Sequence, residues 1–125
     1  AYFAPFDEFA KGVVLALEEE GLTDKIKVYS VDITTQDIEL MIKDGSPWAA
    51  TAATSPRLIG ALSVRALALK VAGEPIPHEI FITPTLFTQS MLKEAGVKNM
   101  EELEIKFPEF NKTTNMTASW IPMIK

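Results

Sequence analysis

The sequence contains no cysteine and a single histidine, His78. The missing thiol excludes disulfides, Cys-ligated metals and thiol nucleophiles together. A lone histidine has no second candidate ligand nearby in sequence, so a surface or interface role is the expectation for it. Neither a Gly-rich phosphate loop nor a nucleophile-elbow pattern occurs, so no catalytic site is visible and no cofactor is expected. Positive charge is scarce: 12 Lys and Arg stand against 17 Asp and Glu, for a net charge of −5. The lysines are dispersed among acidic residues and form no basic face, which makes nucleic acid an unexpected partner for this chain. No apolar run is long enough to span a bilayer. The opening "AYFAP" is neither a basic stretch leading into a long apolar run nor a cleavage signal, which leaves two expectations: a removed leader, or a piece of something longer.

What is present reads as one ordinary domain. At 125 residues and 47% hydrophobic composition, a compact chain buries roughly two-thirds of its unfolded surface. "YFAP" predicts the end of a buried strand. Asp7 has the chemistry of an N-cap for a helix over residues 8–20, where Phe9, Val13, Val14 and Leu17 recur at helical spacing and Gly21 is the stop. "KIKVYSVD" is a strand covered on both faces, with Asp32 as its last residue. Thr34 and Asp37 have capping-box spacing ahead of a helix closed by Gly45. "WAATAAT" is a second buried strand, rich in small residues. Pro56 opens the longest helix, with Ile59, Leu62, Ala66 and Leu69 along one face and Gly73 at its end. "HEIFIT" predicts a third strand between prolines, residues 88–95 a short helix, and residues 100–105 stay ambiguous.

Strands alternating with helices at short spacing predict right-handed βαβ units: an α/β fold with a parallel sheet and helices on both faces. Ligands of such sheets bind beyond the carboxyl ends of the strands. Phe6, Asp32 and Thr54 stand at those ends.

The stretches "YFAPFDEFAKGVVLALEEEGLTDKIKVYSVD" and "IELMIKDGSPWAATAATSPRLIGALSVRALALKVAGEPIP" resemble the second half of the type I periplasmic sugar-binding proteins. This is the ribose-binding-protein-like family, which shares its fold with the effector domains of lactose-repressor-like regulators. The family pattern is Asn-Asp-Glu at a helix start, a strand ending in Phe-Asp, a helix closing with Asp-Gly, and an Ala-Thr strand ending in Gln-x-Pro. The likeness covers about the first eighty residues and rests on the order and spacing of these motifs. In that family the Asp of Phe-Asp accepts hydrogen bonds from sugar hydroxyls, and Asp32 matches it. A carboxylate can accept from two neighbouring hydroxyls, and charge-assisted bonds are the stronger kind. The alternative for Asp32 is a cap on the helix beginning near Thr34. The family's ligand-binding Asn falls on Phe6 and its Gln on Thr54, so the implied pocket is less polar than a pentose site. Phe6 is open between an aromatic platform for a ring and an ordinary core residue. Thr54 is open between ligand contact and a cap ahead of Pro56. Trp48 reads as core or interface packing. Two glycosylation triplets, at Asn111 and Asn115, are chance matches in a bacterial-type chain.

The resemblance implies a solute-binding component of an ABC importer that captures a sugar, polyol or related small polar ligand between two lobes. It is not an enzyme, it docks on a membrane permease, and it works in the periplasm or lipid-anchored outside the cell. The effector domain of a lactose-repressor-like regulator is the alternative. The implied organisation puts residues 1–55 in the C-terminal lobe and residues 56–80 in the N-terminal lobe. Residues 81–125 then form the return crossing and an extension. The apolar face of the long helix would then need cover, from a missing N-terminal half or from self-association.

Overall fold

A computed structural model describes residues 1–113 and 116–121. In chain order the elements are β1 Tyr2–Ala4, α1 Asp7–Glu19, β2 Val28–Val31, α2 Thr35–Ile42, β3 Trp48–Ala53, α3 Pro56–Val71, β4 Thr85–Thr88, α4 Gln89–Glu94 and α5 Met100–Lys106, followed by a 3-10 turn at Pro108–Asn111. Among the described residues no helix is long and apolar enough to cross a membrane. The chain divides into two compact units, residues 1–53 with 85–107, and residues 54–84 with 108–125.

The first unit holds a four-stranded sheet in the order β1-β2-β3-β4, in which β1, β2 and β3 are parallel and β4 is antiparallel to β3. Parallel neighbours require a crossover, and α1 and α2 supply it in the short βαβ spacing read from the sequence. Register explains which face is covered. Ala4, Ser30, Thr51 and Phe87 lie opposite one another across the four strands, and all four are buried. The alternate positions Phe3, Tyr29 and Leu86 are exposed. Helices α1, α2 and α4 pack on the strands, α1 on β1 and β2, α2 on β3, and α4 on β3 and β4. The core between them contains Val14, Ile38, Met41, Trp48, Phe87 and Leu92. Phe107 closes one side, edge-on to Phe87 at 5.5 Å between ring centroids.

The helix ends follow local chemistry, with one correction. Thr34 caps α2, accepting from the Asp37 N–H while the Asp37 carboxylate accepts from the Thr34 N–H, which is the reciprocal box the spacing predicts. Asp7 is not the cap of α1. It is the first helical residue and is buried, and Phe6 holds the cap position without a side-chain bond. The ambiguous stretch at residues 100–105 is helix α5, capped by Asn99, which accepts from the Glu102 N–H.

The second unit is built on α3. Ser55 caps it, accepting from the Leu58 N–H at 3.2 Å, and the same hydroxyl donates to the Asn111 side chain. Leu58, Leu62, Leu69 and Met116 form its core, with Ile76, Ile80 and Ile82 packed against them. Two expectations change here. The buried stripe of α3 is not fully the one read from spacing: Ile59 is exposed, Leu58 is buried instead, and Leu62 and Leu69 are already covered. The helix is apolar nearly all round, so periodicity does not set its phase. Val64, Leu67 and Val71 form a further apolar stripe, which is exposed. "HEIFIT" forms no strand; pairing begins only after Pro84, in β4. Prolines at 75, 77 and 84 remove ladder donors around the segment. The period-2 pattern of Ile80 and Ile82 is used against α3.

Candidate functional site

Parallel strands β1 and β2 both end at the edge of the sheet where α1 and α2 begin, so the residues leaving those strands share that edge. Asp32 follows Val31, the last residue of β2, rather than belonging to the strand. Its φ is +73°, and Met116 is the other non-glycine residue described in this region. A left-handed backbone crowds Cβ against the following carbonyl, and Asp is among the few residues that tolerate it.

Asp32 is held there by β3 on both sides of its Cα. Its N–H donates to the Ala52 carbonyl at 3.0 Å, and its carbonyl accepts from the Thr51 hydroxyl at 2.6 Å. The Thr51 hydroxyl in turn accepts from Ser30 at 2.8 Å, and Ser30 accepts from the Trp48 indole N–H at 2.9 Å. The Asp32 side chain is half-buried, and its carboxylate makes no hydrogen bond or ion pair to another described residue. Capping of α2 belongs to Thr34, which leaves the Asp32 carboxylate without the structural task that competed with ligand contact.

Phe6 leaves β1 at the same edge. It is 45% exposed and packs edge-on against Phe9, itself 60% exposed, with centroids 6.1 Å apart. It is therefore not a core residue of this chain. Thr54 follows Ala53, the last residue of β3, and is the first residue of the second unit. It is half-buried, and the cap of α3 is its neighbour Ser55.

Two features of this edge were not read from the sequence. The first is the chain of buried hydroxyls from Trp48 to Asp32, whose members lie far apart in sequence until the strands pair. The second is an acidic pair between the starts of α1 and α2. Asp37 is fully buried and Asp7 nearly so. Lys11 Nζ lies 3.3 Å from Asp37 Oδ1 and 2.6 Å from Glu8. Burial pushes the Asp37 carboxyl above its ordinary value; bonds from Thr34 pull it down, the Asp7 carboxyl adds to the rise and the Lys11 charge opposes it. Burial alone would lower Lys11, but Glu8 and Asp37 outweigh it and hold the ammonium above its ordinary value. An acidic first turn at each helix was the visible signal, since carboxylates favour helix N-termini.

An open depression on the first unit is lined by Ile42, Asp44, Leu92, Lys93, Gly96, Val97 and Lys98. It adjoins the C-terminal ends of α2 and α4, away from Asp32. Among the described residues no three His, Asp or Glu side chains gather to hold a metal ion. His78 is exposed, and Trp48 is core, one of the two placements expected of it. Asn111 is buried against Ser55, which does not suit a glycan acceptor; Asn115 lies outside the described residues.

No family model and no curated protein sequence matches the chain. Solved structures do. A 5-methylthioribose transporter solute-binding protein from Thermotoga lettingae, in complex with 5-methylthioribose, is 42% identical with a TM-score of 0.88, over 94% of this chain and 38% of that one. A sugar ABC transporter protein from Yersinia enterocolitica subsp. enterocolitica is 34% identical with a TM-score of 0.84, over 94% of this chain and 35% of that one. An ABC transporter solute-binding protein from Agrobacterium vitis with bound allitol is 28% identical with a TM-score of 0.68, over 75% of this chain and 32% of that one. The chain thus spans about a third of the length of these proteins. These relatives are transport proteins rather than enzymes. With its mostly parallel sheet and βαβ order, the chain is a partial type I periplasmic-binding-protein fold of the kind found in sugar ABC transporter solute-binding proteins.

Proposed function

We propose that this chain is part of the solute-binding component of an ABC importer, and that the ligand is a sugar whose ring carries an apolar substituent. The observation that carries the reading is Asp32. A half-buried carboxylate sits just beyond the end of a parallel strand, in a left-handed backbone held by two hydrogen bonds, with no partner of its own among the described residues. Backbone outliers of this kind concentrate at binding sites. Its free oxygens suit two adjacent sugar hydroxyls. Phe6, exposed at the end of the neighbouring strand, offers a ring face rather than the amide of a pentose site. Thr54 adds one hydroxyl. A methylthio group in place of the 5-hydroxyl would use the aromatic surface, and the 42% identical relative was solved with 5-methylthioribose.

Residues 1–55 would belong to the C-terminal lobe, residues 56–80 to the N-terminal lobe, and the remainder would return; the division of the chain after residues 53, 84 and 107 supports repeated crossings. Ligand would close the cleft by hinge motion, and the closed form would meet the permease in the periplasm or at the outer cell surface. The exposed stripe Val64, Leu67 and Val71, and the sheet face bearing Phe3, Tyr29 and Leu86, support cover from the remainder of the protein. Calorimetric titration of the full-length protein with 5-methylthioribose, ribose and allitol tests the ligand. The methylthio sugar should bind at least about tenfold more tightly than ribose, as expected for burying a small apolar group. Equal affinity for ribose would refute the apolar-substituent reading.

A further inference from the structure

We infer that Trp48, Ser30 and Thr51 are positioning residues that set the backbone of Asp32 and thereby aim its carboxylate at the ligand. This inference rests on the reading of Asp32 as a ligand-binding residue.

The chain of bonds has one possible direction. An indole N–H only donates and a peptide carbonyl only accepts. Trp48 Nε1 therefore donates to Ser30 Oγ, whose single proton is left for Thr51 Oγ1, whose proton goes to the Asp32 carbonyl. The separations are 2.9, 2.8 and 2.6 Å. All three side chains are at most 3% exposed, so water does not compete for their protons. Polar groups buried in this way polarise one another when fully satisfied, and the chain is expensive to leave incomplete. Its end point is the one atom that reports the local peptide orientation: the carbonyl of a residue at φ +73°. Turning Asp32 into the extended region would swing that carbonyl away from Thr51 and leave a buried hydroxyl without an acceptor. The core thus holds a conformation that an L-residue resists. Sequence register makes this possible, because Ser30 lies opposite Thr51 across the β2–β3 pair.

The decisive variants are Thr51→Val, which keeps the shape and removes the hydroxyl, and Thr51→Ser, which restores it. They are made in the full-length protein alone and together with Asp32→Ala. Two readouts are used: backbone φ at Asp32 in the ligand-free protein, from three-bond amide–Hα couplings or a crystal structure, and the dissociation constant for 5-methylthioribose, or for ribose if that is the sugar bound. Thr51→Val should move Asp32 out of the left-handed region and weaken binding about tenfold, Thr51→Ser should restore both, and Thr51→Val should add nothing once Asp32 is Ala. Asp32 remaining left-handed in Thr51→Val overturns the inference even if no sugar binds. Weakened binding in Asp32→Ala with unchanged binding in Thr51→Val overturns the inference and spares the proposed site. Unchanged binding in Asp32→Ala overturns both.

Discussion

Replacing Asp32 by glycine and by alanine separates backbone strain from ligand chemistry. At a position of ordinary φ, alanine is more stabilising than glycine by roughly 0.5–1 kcal/mol, because glycine has more freedom to lose on folding. At φ +73° the order should reverse. A Cβ in the left-handed region costs roughly 1–2 kcal/mol, a cost that alanine keeps and glycine lacks. Subtracting the midpoint of the glycine entropy from the midpoint of the strain leaves Asp32→Gly more stable than Asp32→Ala by about 0.75 kcal/mol. Asp32→Gly itself should fall within about 1 kcal/mol of the parent, since the carboxylate makes no bond among the described residues. Sugar affinity should fall equally in both variants, by about ten- to a hundredfold, for loss of a charge-assisted hydrogen bond. Urea denaturation and calorimetric titration of the full-length protein read the two quantities. Alanine proving as stable as glycine would refute the strained-backbone argument, whatever happens to binding.

Thr34→Ala removes the hydroxyl side of the α2 capping box and should cost about 1 kcal/mol in a denaturation midpoint. Asp37→Asn tests the buried acidic pair by its pH slope: the folded Asp37 carboxyl lies above its ordinary 3.8, so the stability it contributes is complete below that pH and is lost as pH rises through the folded value. The stability of Asp37→Asn relative to the parent should therefore climb with pH above about 4, by no more than about 1.4 kcal/mol per pH unit; a flat difference counts against the raised carboxyl. Leu62→Ala empties part of the core of the second unit and should destabilise it by about 2–5 kcal/mol, as a lowered melting temperature would record.

The sequence by itself determined the elements whose signals are local. Gly21 and Gly45 take positive φ at the ends of α1 and α2, Thr34 and Asp37 form their box within one turn, and β-branched and small residues set β2 and β3 in βαβ order. It also carried the family likeness, because the order of motifs survives without coordinates. What only the tertiary structure decided depends on groups brought together across strands or helices. The phase of α3 was ambiguous in a helix apolar nearly all round, and Leu58 rather than Ile59 is buried because the segment at residues 76–82 packs there. The alternation of Ile80 and Ile82 was read as a strand, but whether such a run pairs with a sheet or packs on a helix depends on donors and neighbours outside it. Asp32 was legible as an acid at a strand end. Its left-handed backbone was not, since that conformation is imposed by Thr51 and Ala52 on a different strand, through bonds that exist only once β2 and β3 are in register.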